Sequence, residues 1–303
     1  MNRIGKIFML IKYHCLFLAI VLYLMCYMGI LDKDIVWETL RKRKYNIFKK
    51  KYKKVLEQFD DANSFSSNEF EKTIWMCWFQ GEEQAPVIVK KCISSVKKHA
   101  KDWNIVILDS NNYHKYANIP SIFVEKWKNG IISNTHFSDI LRFEILAEHG
   151  GLWMDATCLL TDDIPEYITR YSFFTFKSEQ RHTDSVKLSS WFMFSYKNNN
   201  VLKCTLKLEE LYWKHSNKLD DYYLIHILFN VALNTNIGLW NDMPDLYDID
   251  PHTLFFSLNN KFNEEKFKIA LTKSFVHKLT YKIAVYQSDS VFAYLTESYN
   301  EVQ

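Results

Sequence analysis

The 303-residue chain reads as an α/β protein built on a mostly parallel central sheet. Two observations carry that reading. First, Thr73–Gln80 (TIWMCWFQ) and Asn104–Leu108 (NIVIL) are apolar throughout and flank a helical stretch from Pro86 to His99. Strands without alternation, joined by a helix, belong to a sheet covered on both faces. Second, Asn134 to Asp163 (NTHFSDILRFEILAEHGGLWMDATCLLTDD) reads as helix, glycine turn, short buried strand and terminal carboxylate. Ligands of such sheets gather at the carboxyl ends of the strands. Three ends are recognisable here, at Trp78-Phe79-Gln80, at Asp109 and at Asp155.

In the central stretch, Phe137, Ile140, Leu141, Ile145 and Leu146 recur at helical spacing. Ser138 or Thr135 is expected to cap this helix, and Gly150-Gly151 to stop it with positive φ. Asp139 and Arg142, three apart, share a face. Leu152-Trp153-Met154 forms the strand, and Asp155 follows at once. A carboxylate after a buried strand is costly unless paired. Between Gly150 and Asp163 there is no basic residue, so a metal ion or Arg142 is expected to neutralise it.

The chain begins differently. Ile7–Leu31 is almost wholly apolar, and Leu16–Leu31 carries no charge. Residues 1–31 are therefore expected to anchor the protein in a membrane. Lys/Arg-rich segments follow at 41–44 and 49–54, so residues 1–54 carry 13 Lys/Arg against 3 Asp/Glu, net +10. Within a total of +3, the remainder is −7. The basic character thus belongs to the amino-terminal segment, which speaks against nucleic-acid binding by the folded part. Residues 32–68 read as a basic amphipathic linker, either lying on an anionic bilayer or packing on the domain, with Asp60–Asn68 as a polar joint. The positive-inside rule places residues 55–303 in the cytoplasm, at a bacterial inner membrane. The six cysteines show no metal or disulfide spacing. Seven glycines leave no glycine-rich phosphate loop.

Further on, Tyr171–Lys177 and Trp191–Tyr196 read as strands, with a surface loop from Ser178 to Ser190. Val201–Trp213 and Tyr222–Leu233 read as helices, the second capped by Asp220-Asp221. Ser288–Val302 is expected to close the chain as a helix.

The segment SDILRFEILAEHGGLWMDAT resembles the donor motif of the capsular polysaccharide synthesis protein family, related to glycosyltransferase family 32. The resemblance runs from about Lys72 to about Lys282. It implies a GT-A-like nucleotide-sugar-binding domain over 69–303 and a retaining hexosyltransferase, with a UDP-sugar as donor and a glycan or lipid-linked glycan as acceptor. By the same resemblance Trp78 stacks on the base, Asp109 lies near base or ribose, and Asp139 and Arg142 bind sugar and phosphate. Asp155 then holds Mn²⁺ or Mg²⁺ against the diphosphate. Where a full DXD motif has a second acid, Thr157 stands instead, which leaves room for His277 as a second metal ligand. Lys278 or Lys282, in the closing motif Val276–Lys282, would neutralise the leaving diphosphate. Asp221 falls near the acceptor. Two other classes compete. One is a catalytically silent nucleotide- or glycan-binding subunit of a capsule assembly complex, suggested by Thr157. The other is a phosphotransferase using Asp155 as nucleophile, which lacks the expected Asp-x-Asp-x-Thr.

Overall fold

The computed structural model describes residues 11–59, 69–178, 185–283 and 287–298. The expected joint at Asp60–Asn68 lies outside them.

The central sheet has the order β2-β1-β3-β6-β5, with β1 Thr73–Cys77, β2 Asn104–Leu108, β3 Gly151–Met154, β5 Phe173–Lys177 and β6 Leu188–Ser195. β1 runs parallel to both β2 and β3, but β6 is antiparallel to β3 and β5 to β6. The sheet is therefore mixed, not mostly parallel. The sequence showed apolar runs at β5 and β6 but nothing of their direction, since burial on both faces erases the alternation that marks antiparallel strands. A second small sheet pairs β4 (Cys158–Leu160) with β7 (Val276–Lys278), antiparallel, with Cys158 opposite Lys278.

Alternate side chains feed two cores. Ile74, Met76, Leu152, Met154, Phe192 and Phe194 enter one, packed against helix α4 (Val87–His99) and the small sheet. Trp75, Trp153 and Met193 enter the other, against α6 (Asn134–Glu148), α7 (Asn200–Lys214) and α8 (Leu224–Ala232). A short helix, α5 (Ser121–Lys128), joins this second layer.

Three amino-terminal helices cover α7 and α8: α1 (Leu16–Tyr27), α2 (Lys33–Lys51) and α3 (Lys53–Phe59). The membrane anchor expected over 1–31 finds no support in its described part, residues 11–31; residues 1–10 lie outside the described residues. Among the described residues no helix is long and apolar enough to cross a membrane. The apolar run is broken at His14, whose φ is +50, and turns back at Gly29, φ +74. What remains is a helix of 12 residues, about 18 Å long against the roughly 30 Å of a bilayer core. Tyr13, Cys15, Ala19, Leu22, Val36, Leu40, Phe48 and Tyr52 are buried in the same core as α7 and α8. The basic stretch likewise packs on the body of the protein: Phe48 meets Tyr212 edge-on at 6.3 Å, and Lys49 Nζ donates to Asn234 Oδ1 at 2.6 Å.

Helix α6 is capped by Ser133, whose Oγ accepts from the His136 amide at 3.2 Å, not by Thr135 or Ser138. Those two line the cleft instead. Gly150 and Gly151 have φ of +67 and +91, and a Cβ on Gly151 would lie 2.6 Å from the Thr73 carbonyl oxygen. Glycine is thus required for β3 to enter beside β1. Ser290 caps the closing helical segment, Val291–Ala293, which continues as a π-helical stretch to Ser298.

Candidate active site

The carboxyl ends of β1 and β3 open on a cleft with two lobes of about 540 and about 500 Å³. They share Thr135, Arg142, Asp155, Tyr222, His252, Phe255 and Lys278. A larger hollow of about 840 Å³, near Lys72, Lys98 and Trp103, lies at the opposite, amino ends of β1 and β2, away from where parallel strands present ligand groups.

The cleft is organised by one ion cluster. Thr135, Ser138, Asp139 and Arg142 fall on one face of α6, at helical spacing, and all line the cleft. Arg142 is buried; both terminal nitrogens of its guanidinium are engaged, while its Nε is buried with no hydrogen-bond partner among the described residues. Nη1 donates to Ser190 O at 2.6 Å and Ser190 Oγ at 2.7 Å, while Nη2 lies 3.1 Å from Asp139 Oδ1 and 3.1 Å from Asp155 Oδ1. Asp155 Oδ1 also accepts from Trp153 Nε1 at 3.1 Å. Its Oδ2 accepts from Lys278 Nζ at 2.7 Å, and the same ammonium donates to Thr157 Oγ1 at 2.6 Å. Strand pairing explains the position of Lys278. β7 runs beside β4, and the Leu279 amide donates to the Thr157 carbonyl at 2.9 Å, which brings Lys278 over the Asp155–Thr157 turn.

The electrostatics follow. Burial would raise the Asp155 pKa, but Lys278 and Arg142 outweigh it and hold the carboxyl below its usual value. Burial would lower Lys278, but Asp155 outweighs that and raises it, so the ammonium stays charged. Burial pushes Asp139 up, with Arg142 and His136 opposing.

The sequence expectations divide. Trp78 lies where β1 ends, lines the cleft and meets Tyr281 edge-on at 5.1 Å. Asp139, Arg142, Asp155, Lys278 and Lys282 also line it. Three expected residues do not. Asp109 is spent on its own turn, its Oδ1 accepting from the amides of Asn111 and Asn112 at 2.7 and 2.9 Å. Asp221 is buried against Lys44, at 2.6 Å, and Arg41, at 3.7 Å. His277 is fully buried and lines neither lobe. Side chains alternate along a strand, so with Lys278 turned to the cleft, His277 turns away from it. Burial holds its pKa down at about 4, partly offset by the carbonyls of Leu271 and Ser274.

Sequence reasoning missed the second lobe. There Trp191, Tyr222, Phe255 and Phe256 line the cavity together with His226 and His252. His252 Nδ1 lies 2.6 Å from the Asp248 carbonyl oxygen, and Asp248 Oδ2 accepts from Ser189 Oγ at 2.6 Å. These residues come from β6 and from separate elements after it, and no local motif links them.

A divalent cation would need oxygen or nitrogen donors free to face it. Both oxygens of Asp155 and the hydroxyl of Thr157 are engaged by protein cations or by Trp153, and His277 faces elsewhere. Among the described residues no group of three or more His, Cys, Asp or Glu converges as a metal site. The residues present do not fit a protein-held divalent metal.

The two-lobed cleft at the strand ends thus carries rings in both lobes and paired charges between them. Comparison with known proteins adds to this. The family model for capsular polysaccharide synthesis protein matches residues 31–298, and the chain belongs to that family. Among curated proteins it is similar to the O-glycosyltransferase PaGT of Phomopsis amygdali, 25% identical over 149 residues, 44% of this chain and 36% of that protein. It is also similar to the O-glycosyltransferase braB of Annulohypoxylon truncatum, 24% identical over 172 residues, 50% of this chain and 40% of that one. The matches thus span well under half of those relatives' lengths. Among solved structures it is similar to the PaToxG glycosyltransferase, with a TM-score of 0.40, 18% identity, and coverage of 66% of this chain and 84% of that one. The similarities to sequences run consistently to glycosyltransferases.

Proposed function

We propose that this protein transfers a sugar from a nucleoside-diphosphate donor to a glycan acceptor in the assembly of a surface polysaccharide. The observation that carries the reading is the meeting, in one cleft, of Trp78, Arg142, Asp155 and Lys278. Trp78 offers a ring edge or face to a base at the end of β1, and Lys278 and Lys282 place positive charge where a diphosphate would follow. The aromatic second lobe suits a sugar acceptor, whose apolar face stacks on rings.

In the reaction the bond between the sugar's C1 and the β-phosphate oxygen breaks, its electron pair leaving with the nucleoside diphosphate. The acceptor hydroxyl oxygen bonds to C1, and its proton passes to the departing phosphate oxygen. Arg142 contributes position and charge through Asp139 and Asp155, and Lys278 and Lys282 offset the charge growing on the leaving group. Retention of configuration accords with this arrangement, which needs no separate catalytic base. The family membership and the relatives' names support this class of reaction.

Purified full-length protein, screened against UDP-, GDP- and other nucleotide sugars, tests the proposal. Donor turnover with at least one sugar is the expected result. Tight nucleotide binding without turnover would favour the silent-subunit reading.

The reading includes a membrane surface as the place of work. The outer side of α1 exposes Phe17, Leu24, Tyr27 and Met28, with exposures from 55% to 91%. Lys42, Arg43, Lys49 and Lys50 are exposed on α2. Exposed apolar residues and exposed cations on two helices in contact suit the interface of an anionic bilayer. Co-sedimentation with phosphatidylglycerol vesicles, weakened by salt, is expected, and equal binding to neutral vesicles would argue against it.

A further inference from the structure

We propose that the Lys278 ammonium, seated between Asp155 and Thr157, takes the place of a divalent cation, and that donor binding and sugar transfer at this cleft need no metal. The inference rests on the donor class proposed above and adds how that donor's diphosphate is met.

Three observations carry it. An ammonium has three N–H donors. Two of those on Lys278 go to Asp155 Oδ2 and Thr157 Oγ1, at 2.7 and 2.6 Å, which leaves the third for a ligand in the cleft. Second, the position is built rather than incidental. Lys278 is held by β-pairing to Cys158, and its own amide donates to the Pro251 carbonyl at 2.9 Å. Its side chain is 19% exposed, so the charge is fixed at the cleft wall and not waving in solvent. Third, the charges already balance. Asp139 and Asp155 face Arg142 and Lys278. A divalent cation entering beside Asp155 would meet two fixed positive charges within about one salt-bridge length, which Coulomb repulsion at short range opposes strongly.

Thr157 belongs to the same arrangement. A second carboxylate at 157 would add a negative charge against the ammonium, whereas a hydroxyl accepts its hydrogen bond and adds none. A single ammonium carries one charge where Mg²⁺ carries two, so Lys282, on the same wall, adds a second positive charge toward the diphosphate. These two lysines then contact the leaving group directly, while Arg142 acts as a positioning residue through Asp155.

The experiment uses full-length protein freed of metal with EDTA. UDP, GDP and ADP are each titrated by calorimetry, with EDTA and with Mn²⁺, and donor turnover is followed in both conditions. The expected result is an affinity and a turnover that differ less than about twofold between EDTA and Mn²⁺. Lys278→Met should weaken binding of the preferred nucleotide at least tenfold, Lys278→Arg should restore part of it, and melting curves should show both variants folded. The double variant Thr157→Asp with Lys278→Ala should regain nucleotide binding only when Mn²⁺ is added. Binding or turnover lost in EDTA and restored by Mn²⁺ in the unaltered protein would overturn the inference while leaving the transferase reading intact. Metal-indifferent binding without turnover of any donor would do the reverse. No nucleotide binding in either condition would overturn both.

Discussion

Two aspartates in this protein meet a lysine at almost the same distance, and they serve different ends. Asp155 meets Lys278 at 2.7 Å, and Asp221 meets Lys44 at 2.6 Å. Each pair joins parts of the chain more than 100 residues apart, and each includes an arginine, Arg142 or Arg41. The difference is exposure. Asp155 and Lys278 are 25% and 19% exposed toward a cleft, whereas Asp221 and Lys44 are 9% and 4% exposed within a helix interface. An ion pair at a cleft wall can exchange one partner for a ligand. One sealed between helices can only hold them together. Both carboxyls sit below their ordinary pKa because nearby cations outweigh burial, so titration direction alone does not tell a site from a strut.

Lys44→Met should have the largest effect, because removing one partner leaves a buried charge uncompensated, at about 3–5 kcal/mol. Urea unfolding should show that loss, with a smaller fall in turnover per folded molecule than Asp155→Asn gives. A comparable fall in turnover would make the second pair part of the site after all.

Asp155→Asn comes next. It should cut turnover by about 10²–10³-fold, the range for losing one preorganised charge-stabilising group, with a smaller change in melting temperature than Lys44→Met. The opposite ranking would put the two pairs in each other's roles.

Arg142→Lys should cost about 1.5–3 kcal/mol, the worth of a charge-assisted hydrogen bond, since an ammonium cannot reach Ser190, Asp139 and Asp155 together. Steady-state kinetics should register it mainly in kcat. Near-normal kinetics would reduce Arg142 to a partner of Asp139.

The smallest expected effect is with pH. Depressed carboxyls contribute stability above their unfolded pKa of about 3.9, and lose it as pH falls through their folded values. Both ion pairs should therefore hold down to about pH 4. Burial, with Arg142 adding to it, pushes His226 down to about 3, and burial pushes His277 down to about 4. These histidines favour the fold fully above about 6.5 and lose that contribution progressively as pH falls below it. His136 is raised, because Glu209 outweighs burial, so its contribution is instead lost as pH rises through its folded value. Unfolding free energy measured from pH 7 to 4 should fall, and His277→Gln should flatten the slope. A slope unchanged by that substitution would show that His277 protonates without opening the core.

The central stretch was legible because its signals are local. A 3.6-residue apolar period, two glycines and a carboxylate at a strand end require no knowledge of distant chain. Of the two cations that neutralise Asp155, Arg142 was expected from the neighbouring helix, but the second was not local. It stands at 278, and whether 277 or 278 faces the cleft depends on how β7 registers against β4, which spacing within Val276–Lys282 cannot reveal. Asp109 shows another limit. Its residue type suits a ligand and a turn equally, and the turn claimed it. The amino-terminal run misled for a physical reason: hydropathy registers transfer out of water without saying whether lipid or protein receives the side chain. Among the described residues, left-handed His14 and Gly29 flank a helix of only 12 residues, Leu16–Tyr27.

The packing of that amino-terminal layer bears on how the protein can be shortened. The Tyr13 hydroxyl donates to Asp220 Oδ2 at 2.9 Å, Lys12 pairs with the same oxygen, and Lys44 holds Asp221. The next residue, Tyr222, belongs to both lobes of the cleft. Cutting the chain at residue 31 would therefore not trim a dispensable tether. It would remove Ala19 and Leu22 from the core they help to fill and release Asp220 from Tyr13, two peptide bonds from Tyr222 at the cleft.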